Sequence, residues 1–219
     1  EGFAFSSEIK GLMALTGSKA EPNSRAMADY IHLQYTLGDK TFFAGVNKLL
    51  PGHCLLYQDG QLKIWSYWEP EPTGRFAGTF HQAAEQLRGL LEGAVRWQLR
   101  ADVSVGAHLS GGLDTGTVSA LAMREAGQLK TFTAGFREGG IFDDTAAARI
   151  TARLIGADHH VVYPDHRDFA DCFEKLVFYL DEPVAAPGVF AQYMVSKLAK
   201  EQVTVVLGGQ GADEIFGGY

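Results

Sequence analysis

Leu109-Ser110-Gly111-Gly112-Leu113-Asp114-Thr115-Gly116-Thr117 combines paired glycines, three hydroxyls and one carboxylate within nine residues. Paired glycines let the backbone fold tightly enough to aim several N–H groups at one point, and a helix starting just after them adds the positive end of its dipole. That combination makes an anion cradle. Ser110, Thr115 and Thr117 supply hydroxyl donors, while Asp114 would repel a phosphate unless a divalent cation such as Mg2+ bridged the two. The competing reading is a glycine-rich strand-to-helix turn with Asp114 as a simple N-cap. The stretch lacks the Gly-Lys-Ser/Thr of a Walker A loop and the glycine spacing of a dinucleotide-binding fingerprint. A second stretch, Gly208-Gly209-Gln210-Gly211-Ala212-Asp213-Glu214-Ile215-Phe216-Gly217-Gly218-Tyr219, repeats the theme. Gly208, Gly209 and Gly211 let a ligand approach the backbone closely, and Asp213 with Glu214 puts carboxylates at the start of an expected helix.

Both stretches follow apolar runs, and the pattern between them says how they meet. Apolar runs at Val103–Leu109, Lys130–Phe136, His160–Tyr163 and Val203–Leu207 alternate with helical periodicity at Thr115–Ala126, Asp144–Ile155, Phe169–Leu180 and Val189–Lys200. That alternation predicts an α/β fold, a parallel sheet with helices on both faces and its ligand beyond the carboxyl ends of the strands. A long amphipathic helix precedes it over His81–Leu99. Residues 1–68 read differently. His53–Tyr57 and Leu62–Trp65 flank Asp59-Gly60, the signature of a tight antiparallel hairpin, and Ala26–Leu37 predicts a short helix ending near Gly38. Residues 69–79, with Pro70, Pro72 and no period, are the expected linker between the two zones.

Composition narrows the partners. The net charge of −7, with Lys and Arg scattered, argues against a nucleic acid as main ligand. No apolar run approaches the roughly 20 residues that cross a bilayer, so no membrane role is expected. Cys54 and Cys172 stand alone, which predicts neither a disulfide framework nor a zinc site and suits a cytoplasmic setting. His159-His160 is an adjacent pair on a strand, pointing to opposite faces and thus poorly spaced for one metal. Asp143 and Asp144 open a helix, either as caps or as neighbours of a phosphate.

Ser110-Gly111-Gly112-Leu113-Asp114-Thr115 resembles the pyrophosphate loop of the ATP-pyrophosphatase superfamily. Gly209-Gln210-Gly211-Ala212-Asp213-Glu214-Ile215-Phe216-Gly217-Gly218-Tyr219 is similar to the second signature of glutamine-hydrolysing asparagine synthetases. Phe5-Ser6-Ser7-Glu8-Ile9-Lys10, Lys48-Leu49-Leu50-Pro51-Gly52-His53, Thr133-Ala134-Gly135-Phe136 and Leu180-Asp181-Glu182-Pro183 agree with that family in order. The resemblance implies the tail of an N-terminal nucleophile glutaminase domain over 1–68 and the front of a synthetase domain over 80–219. The chain would be an internal fragment, inactive alone. Position 1 is Glu1, where the family's mature glutaminase has its nucleophilic cysteine. The implied reaction adenylates the side-chain carboxylate of aspartate with ATP and Mg2+, then transfers ammonia from glutamine, releasing AMP and pyrophosphate.

Carried over by motif, Ser110, Gly111, Gly112, Asp114 and Thr115 would hold pyrophosphate and metal. Leu109, Ala134, Gly208 and Gly209 would border the adenosine, and Asp213 would be a second metal ligand. Gln210 stands where these synthetases carry a glutamate. An amide cannot take a proton from ammonium near neutral pH, so this position leaves adenylation in place and opens the identity of the nucleophile. Two other readings stay open: an amidotransferase or lactam-forming synthetase acting on another carboxylate, and a non-catalytic nucleotide-binding module. Expected partners are small molecules (ATP, aspartate or a related carboxylate, glutamine or ammonia), with room for a homodimer. Asp181-Glu182-Pro183 is expected either to line the acyl pocket or to form a solvated turn.

Overall fold

The computed structural model describes residues 2–71, 74–137, 143–184 and 188–218. The chain divides into two compact units, residues 1–75 with 173–186, and residues 76–172 with 187–219.

The first unit holds helices α1 (Ile9–Thr16) and α2 (Ser24–Leu33) and the strands β1 (His53–Gln58) and β2 (Gln61–Ser66). The strands pair antiparallel in the register His53↔Ser66 to Gln58↔Gln61. Asp59 and Gly60 both take positive φ, 52° and 76°, the twist a two-residue hairpin loop requires. The helix expected over Ala26–Leu37 is shifted. It starts at Ser24 because the Asn23 carboxamide accepts from the Arg25 and Ala26 amides at 3.2 and 3.4 Å. It stops at Leu33 because Gln34 turns left-handed, φ 66°, and donates to the Tyr30 carbonyl at 2.8 Å. Leu37 lies outside the helix, its amide donating to the Asp29 carboxylate at 3.0 Å. The sequence pattern did not single out α1.

In the second unit α3 (Phe80–Gln98) leads into β3 (Val105–His108), α4 (Leu113–Ala126), β4 (Lys130–Ala134), α5 (Thr145–Ile155) and β5 (Asp158–Val162). The chain continues through α6 (His166–Leu180), whose later residues belong to the first unit, then α7 (Gly188–Lys200), β6 (Val205–Leu207) and α8 (Ala212–Phe216). Strands run β5-β4-β3-β6 and every pairing is parallel. The expected α/β fold with a parallel sheet is thus present, beside a small antiparallel sheet. Strands are shorter than the apolar runs because the ladder is: Val103 and Val203 precede the first rung, Val105↔Val205. β5 instead starts earlier than expected, since Asp158 already pairs with Lys130.

α3 is fastened by a capping box. The Thr79 hydroxyl accepts the Gln82 amide at 3.3 Å and the Gln82 side chain accepts the Thr79 amide at 2.8 Å, a cap worth about 1 kcal/mol. Alternation along the strands sends residues to two cores. Ala107 and Leu207 pack with Val95 of α3 and Ala122 of α4, while Leu109 packs with Ala148 and Ala152 of α5. On the other face Phe132 and Val203 meet Val195 and Ala199 of α7. Helices therefore cover both faces, which is what a parallel sheet of near-continuous apolar strands needs.

Candidate active site

Strand order decides where the two glycine-dense loops meet. From β3 the chain steps outward through β4 to β5, then returns to lay β6 on the other side of β3. Such a reversal is where an open parallel sheet leaves a crevice beyond its carboxyl ends. The loops after β3 and β6 flank it. Gly209 lies against the start of α4: a Cβ there would sit 2.9 Å from the Asp114 Cβ and 3.0 Å from the Thr115 nitrogen. Only glycine permits that approach.

The first loop is knitted by its own hydroxyls. The Ser110 and Thr115 hydroxyls share a hydrogen bond of 2.8 Å, the Ser110 amide donates to the Thr115 hydroxyl at 3.0 Å, and the Gly112 amide donates to the Ser110 hydroxyl at 3.1 Å. These bonds fix the turn ahead of α4, whose first amides have no acceptor within their own helix. Gly111 and Gly112 are exposed, so the turn presents backbone to solvent. Gly111 also abuts α5, 3.0 Å from both the Asp144 and Ala147 Cβ atoms as a Cβ would see them. A phosphate fits this cradle of exposed glycine backbone, half-buried hydroxyls and helix start.

Asp114 is not the cap of α4. Gly112 holds the N-cap place without a side-chain bond, and Asp114 is the second helical residue, where a carboxylate complements the dipole. Asp213 has the same place in α8 behind Gly211. Its backbone carbonyl accepts from Gly217 and Gly218 at 2.8 and 3.1 Å. No three His, Cys, Asp or Glu side chains gather as a metal cage among the described residues. A divalent cation would therefore rely on Asp114 and Asp213 together with oxygens from phosphate and water, the ligand set Mg2+ ordinarily takes. Gln210 is exposed, and its carboxamide folds back onto Gly208, in the space a side chain there would fill.

Ala134 ends β4, and the next amide, Gly135, donates to Val162 at 2.9 Å. Gly135 is closely covered by the Thr145 methyl, Asp143 and Tyr163. Asp143, rather than Asp144, satisfies the start of α5, accepting from the Thr145 amide and hydroxyl at 3.2 Å each. The Thr145 side chain, then Arg149, whose guanidinium donates to the phenol oxygen at 2.9 Å, hold the Tyr163 phenol below its ordinary range. Leu109 turns its side chain into the α5 core, so only its backbone edges the crevice.

The neighbour facing the opposite way is His108, which the motif reading passed over. Its Nδ1 meets the Gln192 Nε2 of α7 at 3.1 Å, and its buried Nε2 has no hydrogen-bond partner among the described residues. Burial holds this imidazole below the usual histidine range. The sequence signal was a polar residue inside an apolar strand, one step before the glycine loop. Asp181 and Glu182 are half-buried and held by neighbours in the first unit, and Glu182 lines a cavity of about 300 Å3 there with Tyr30, Phe42 and Lys48. The Asp181 carboxylate accepts the Ile9 amide at 2.7 Å and pairs with Lys10 at 3.1 Å; the Glu182 carboxylate accepts the Phe42 amide at 2.7 Å and pairs with Lys48 at 2.9 Å.

Comparison with known proteins finds matches along the whole chain. The family model described as asparagine synthase matches residues 86–219, and that of a glutamine amidotransferase domain matches residues 1–68. A Mycobacterium tuberculosis protein with the provisional description of glutamine-hydrolysing asparagine synthetase is 38% identical over all of this chain and 34% of its own length. Glutamine-hydrolysing asparagine synthetase 1 of Bacillus subtilis is 32% identical over 98% of this chain and 34% of its own. An amidase of Penicillium rubens is 31% identical over 97% and 34%. The chain thus spans about a third of the length of these relatives. With the two glycine loops set side by side at the reversal of a parallel sheet and a family match over most of the chain, the chain belongs to the asparagine synthase family.

Proposed function

We propose that the protein to which this chain belongs is an ATP-dependent amidotransferase, a carbon–nitrogen ligase that adenylates a side-chain carboxylate and joins it to ammonia derived from glutamine. Residues 1–68 serve as the end of its glutaminase domain, 69–79 as linker and 80–219 as the front of its synthetase domain. The observation that carries this reading is the approach of Gly209 to Asp114 and Thr115, which sets the second loop against the phosphate cradle.

The amides opening α4, with Ser110, Gly111, Gly112 and Thr115, hold the departing pyrophosphate. They neutralise charge and fix position, which is most of what displacement at phosphorus requires. Mg2+ on Asp114 and Asp213 would supply further charge neutralisation. Ala134, Gly208 and Gly209, with the backbone of Leu109, border the adenosine. Gln210 orients the nucleophile by hydrogen bonds and cannot itself remove its proton. Aspartate is the first acyl substrate to test, in a cytoplasmic setting.

Gln210 favours one alternative, a relative acting on another carboxylate. The two separate on the full-length protein supplied with ATP, Mg2+ and ammonia. AMP and pyrophosphate release with aspartate, together with asparagine, supports the first reading. Release only with other carboxylic acids supports the second, and none with any acid contradicts both.

A further inference from the structure

Past its last turn, α2 hands the chain to a segment that is tied down at several points. Gln34 turns left-handed at φ 66° to end the helix, and the Asp29 carboxylate accepts the Leu37 amide at 3.0 Å and pairs with Lys40. The Asn23 carboxamide donates to the Thr41 carbonyl at 2.9 Å, and the buried Thr41 hydroxyl bonds the Phe43 and Val46 carbonyls at 3.0 and 2.6 Å. The Phe42 amide then donates to the Glu182 carboxylate at 2.7 Å. Tyr30, Tyr35, Thr36 and Phe42 are thereby held around the cavity of about 300 Å3 in the first unit, with Leu180, Pro183 and Val184 as further apolar wall.

The wall is aromatic and carries one pair of charges. Tyr30 and Phe42 meet edge-on with ring centres 5.3 Å apart. The Lys48 ammonium stands 2.9 Å from the Glu182 carboxylate and 3.0 Å from the Thr36 hydroxyl, which leaves one of its three protons without an acceptor among the described residues. The Lys48 side chain is 41% exposed and that of Glu182 16%, so the pair opens to solvent on the lysine side and rearranges at small cost. Among the described residues the Tyr30 and Tyr35 hydroxyls and the Gln34 carboxamide make no hydrogen bond, so polar capacity is left over beside the rings.

One ligand chemistry answers this pattern. A carboxylate takes the remaining Lys48 proton, an ammonium takes the Glu182 carboxylate and the electron-rich rings, and an apolar side chain covers the aromatic wall. The volume stands at the low end for ligand cavities, with room for an amino acid and too little for a nucleotide. We infer that this cavity binds a free α-amino acid with an apolar or aromatic side chain, its carboxylate on Lys48 and its ammonium on Glu182. Walls fixed by main-chain bonds before the ligand arrives spare it the cost of ordering them. The cavity shares no residue with the glycine loops of the second unit, and the inference stands without the amidotransferase reading.

The test uses the full-length protein with L-phenylalanine and L-leucine as probes. N-acetyl-L-phenylalanine, which lacks the ammonium, and L-phenylalaninamide, which lacks the carboxylate, are the controls. Saturation-transfer NMR titration is expected to show an amino acid bound at about millimolar concentration and both blocked compounds weaker by roughly tenfold or more, the scale of one lost charged hydrogen bond. In Lys48→Met, L-phenylalanine should weaken to the level of L-phenylalaninamide, because the carboxylate has lost its partner. Lys48→Arg, which keeps the charge, should stay within about threefold of the parent. Val184→Trp fills the cavity from an exposed wall position and should abolish binding with Lys48 intact, which decides the location if Lys48→Met does not fold. Failure of both amino acids to bind at about 10 mM overturns the inference. So does equal binding of the blocked compounds, or parental affinity in a folded Lys48→Met or Val184→Trp protein.

Discussion

At the scale of single residues, the chemistry turns on position 210. A carboxylate there could take a proton from ammonium, and an amide cannot. The Gln210 carboxamide is exposed and folded over Gly208, so a carboxylate of the same reach fits the same space. Gln210→Glu in the full-length enzyme is therefore expected to raise ammonia-dependent amide formation, by up to the roughly 10²–10⁴-fold that general-base assistance supplies. Pyrophosphate exchange should stay within about threefold of the parent, because the proposed adenylation assigns no role to this group. Steady-state amide formation measured across pH checks this. No gain at any pH means that proton removal is already provided by another residue.

At the scale of elements, the site depends on how closely loop meets loop. Gly209→Ala would drive a methyl to 2.9 Å from the Asp114 Cβ and 3.0 Å from backbone nitrogen, distances that real side chains do not adopt. The loops must separate, so pyrophosphate exchange should fall by about tenfold or more while circular dichroism of the sheet is kept. An active variant would show that the approach is not needed. Two strand histidines give the sheet a pH dependence. Burial lowers the pKa of His108, and burial, then Arg149 and His160, lowers that of His159, whose Nδ1 meets the Thr131 hydroxyl at 2.9 Å. Both therefore hold a proton less readily in the folded chain than in the unfolded one, where a histidine titrates near pH 6.5. Their contribution is complete above that pH and is lost as pH falls below it, by at most about 1.4 kcal/mol per unit for each and less where water reaches the ring. Urea unfolding at pH 7.5 and 5.5 should show this loss, and His108→Asn with His159→Gln should shrink it. An equal loss in the variant rules the histidines out.

The elements were legible where hydrophobic period alone decides them, as in α3 and the alternation from β3 to β6. They were not where a distant partner decides them. α1 has no cap nearby in sequence, since its cap is Asp181, and α2 ends at Gln34 through backbone geometry rather than at Gly38. In the site, the glycines and hydroxyls of 110–115 announced a cradle, but the Gln192–His108 contact joins residues 84 apart and leaves no local trace.

At the scale of the whole molecule, the central claim is that a parallel sheet with two opposed glycine loops holds the phosphates of ATP and uses Asp114 to do so. The proposed acyl chemistry depends on that. The measurement that tests it most directly is carboxylate-dependent ATP–pyrophosphate exchange by the full-length protein and its Asp114→Ala variant at several Mg2+ concentrations. The account predicts exchange in the parent and a loss of about 10³-fold in the variant, the scale at which a charge-stabilising group is missed. The variant should fold and lose at most about 1 kcal/mol of stability, the scale of the missing helix-dipole contact, since Asp114 neither caps α4 nor is buried. Exchange of parental size in a folded Asp114→Ala protein would contradict the claim.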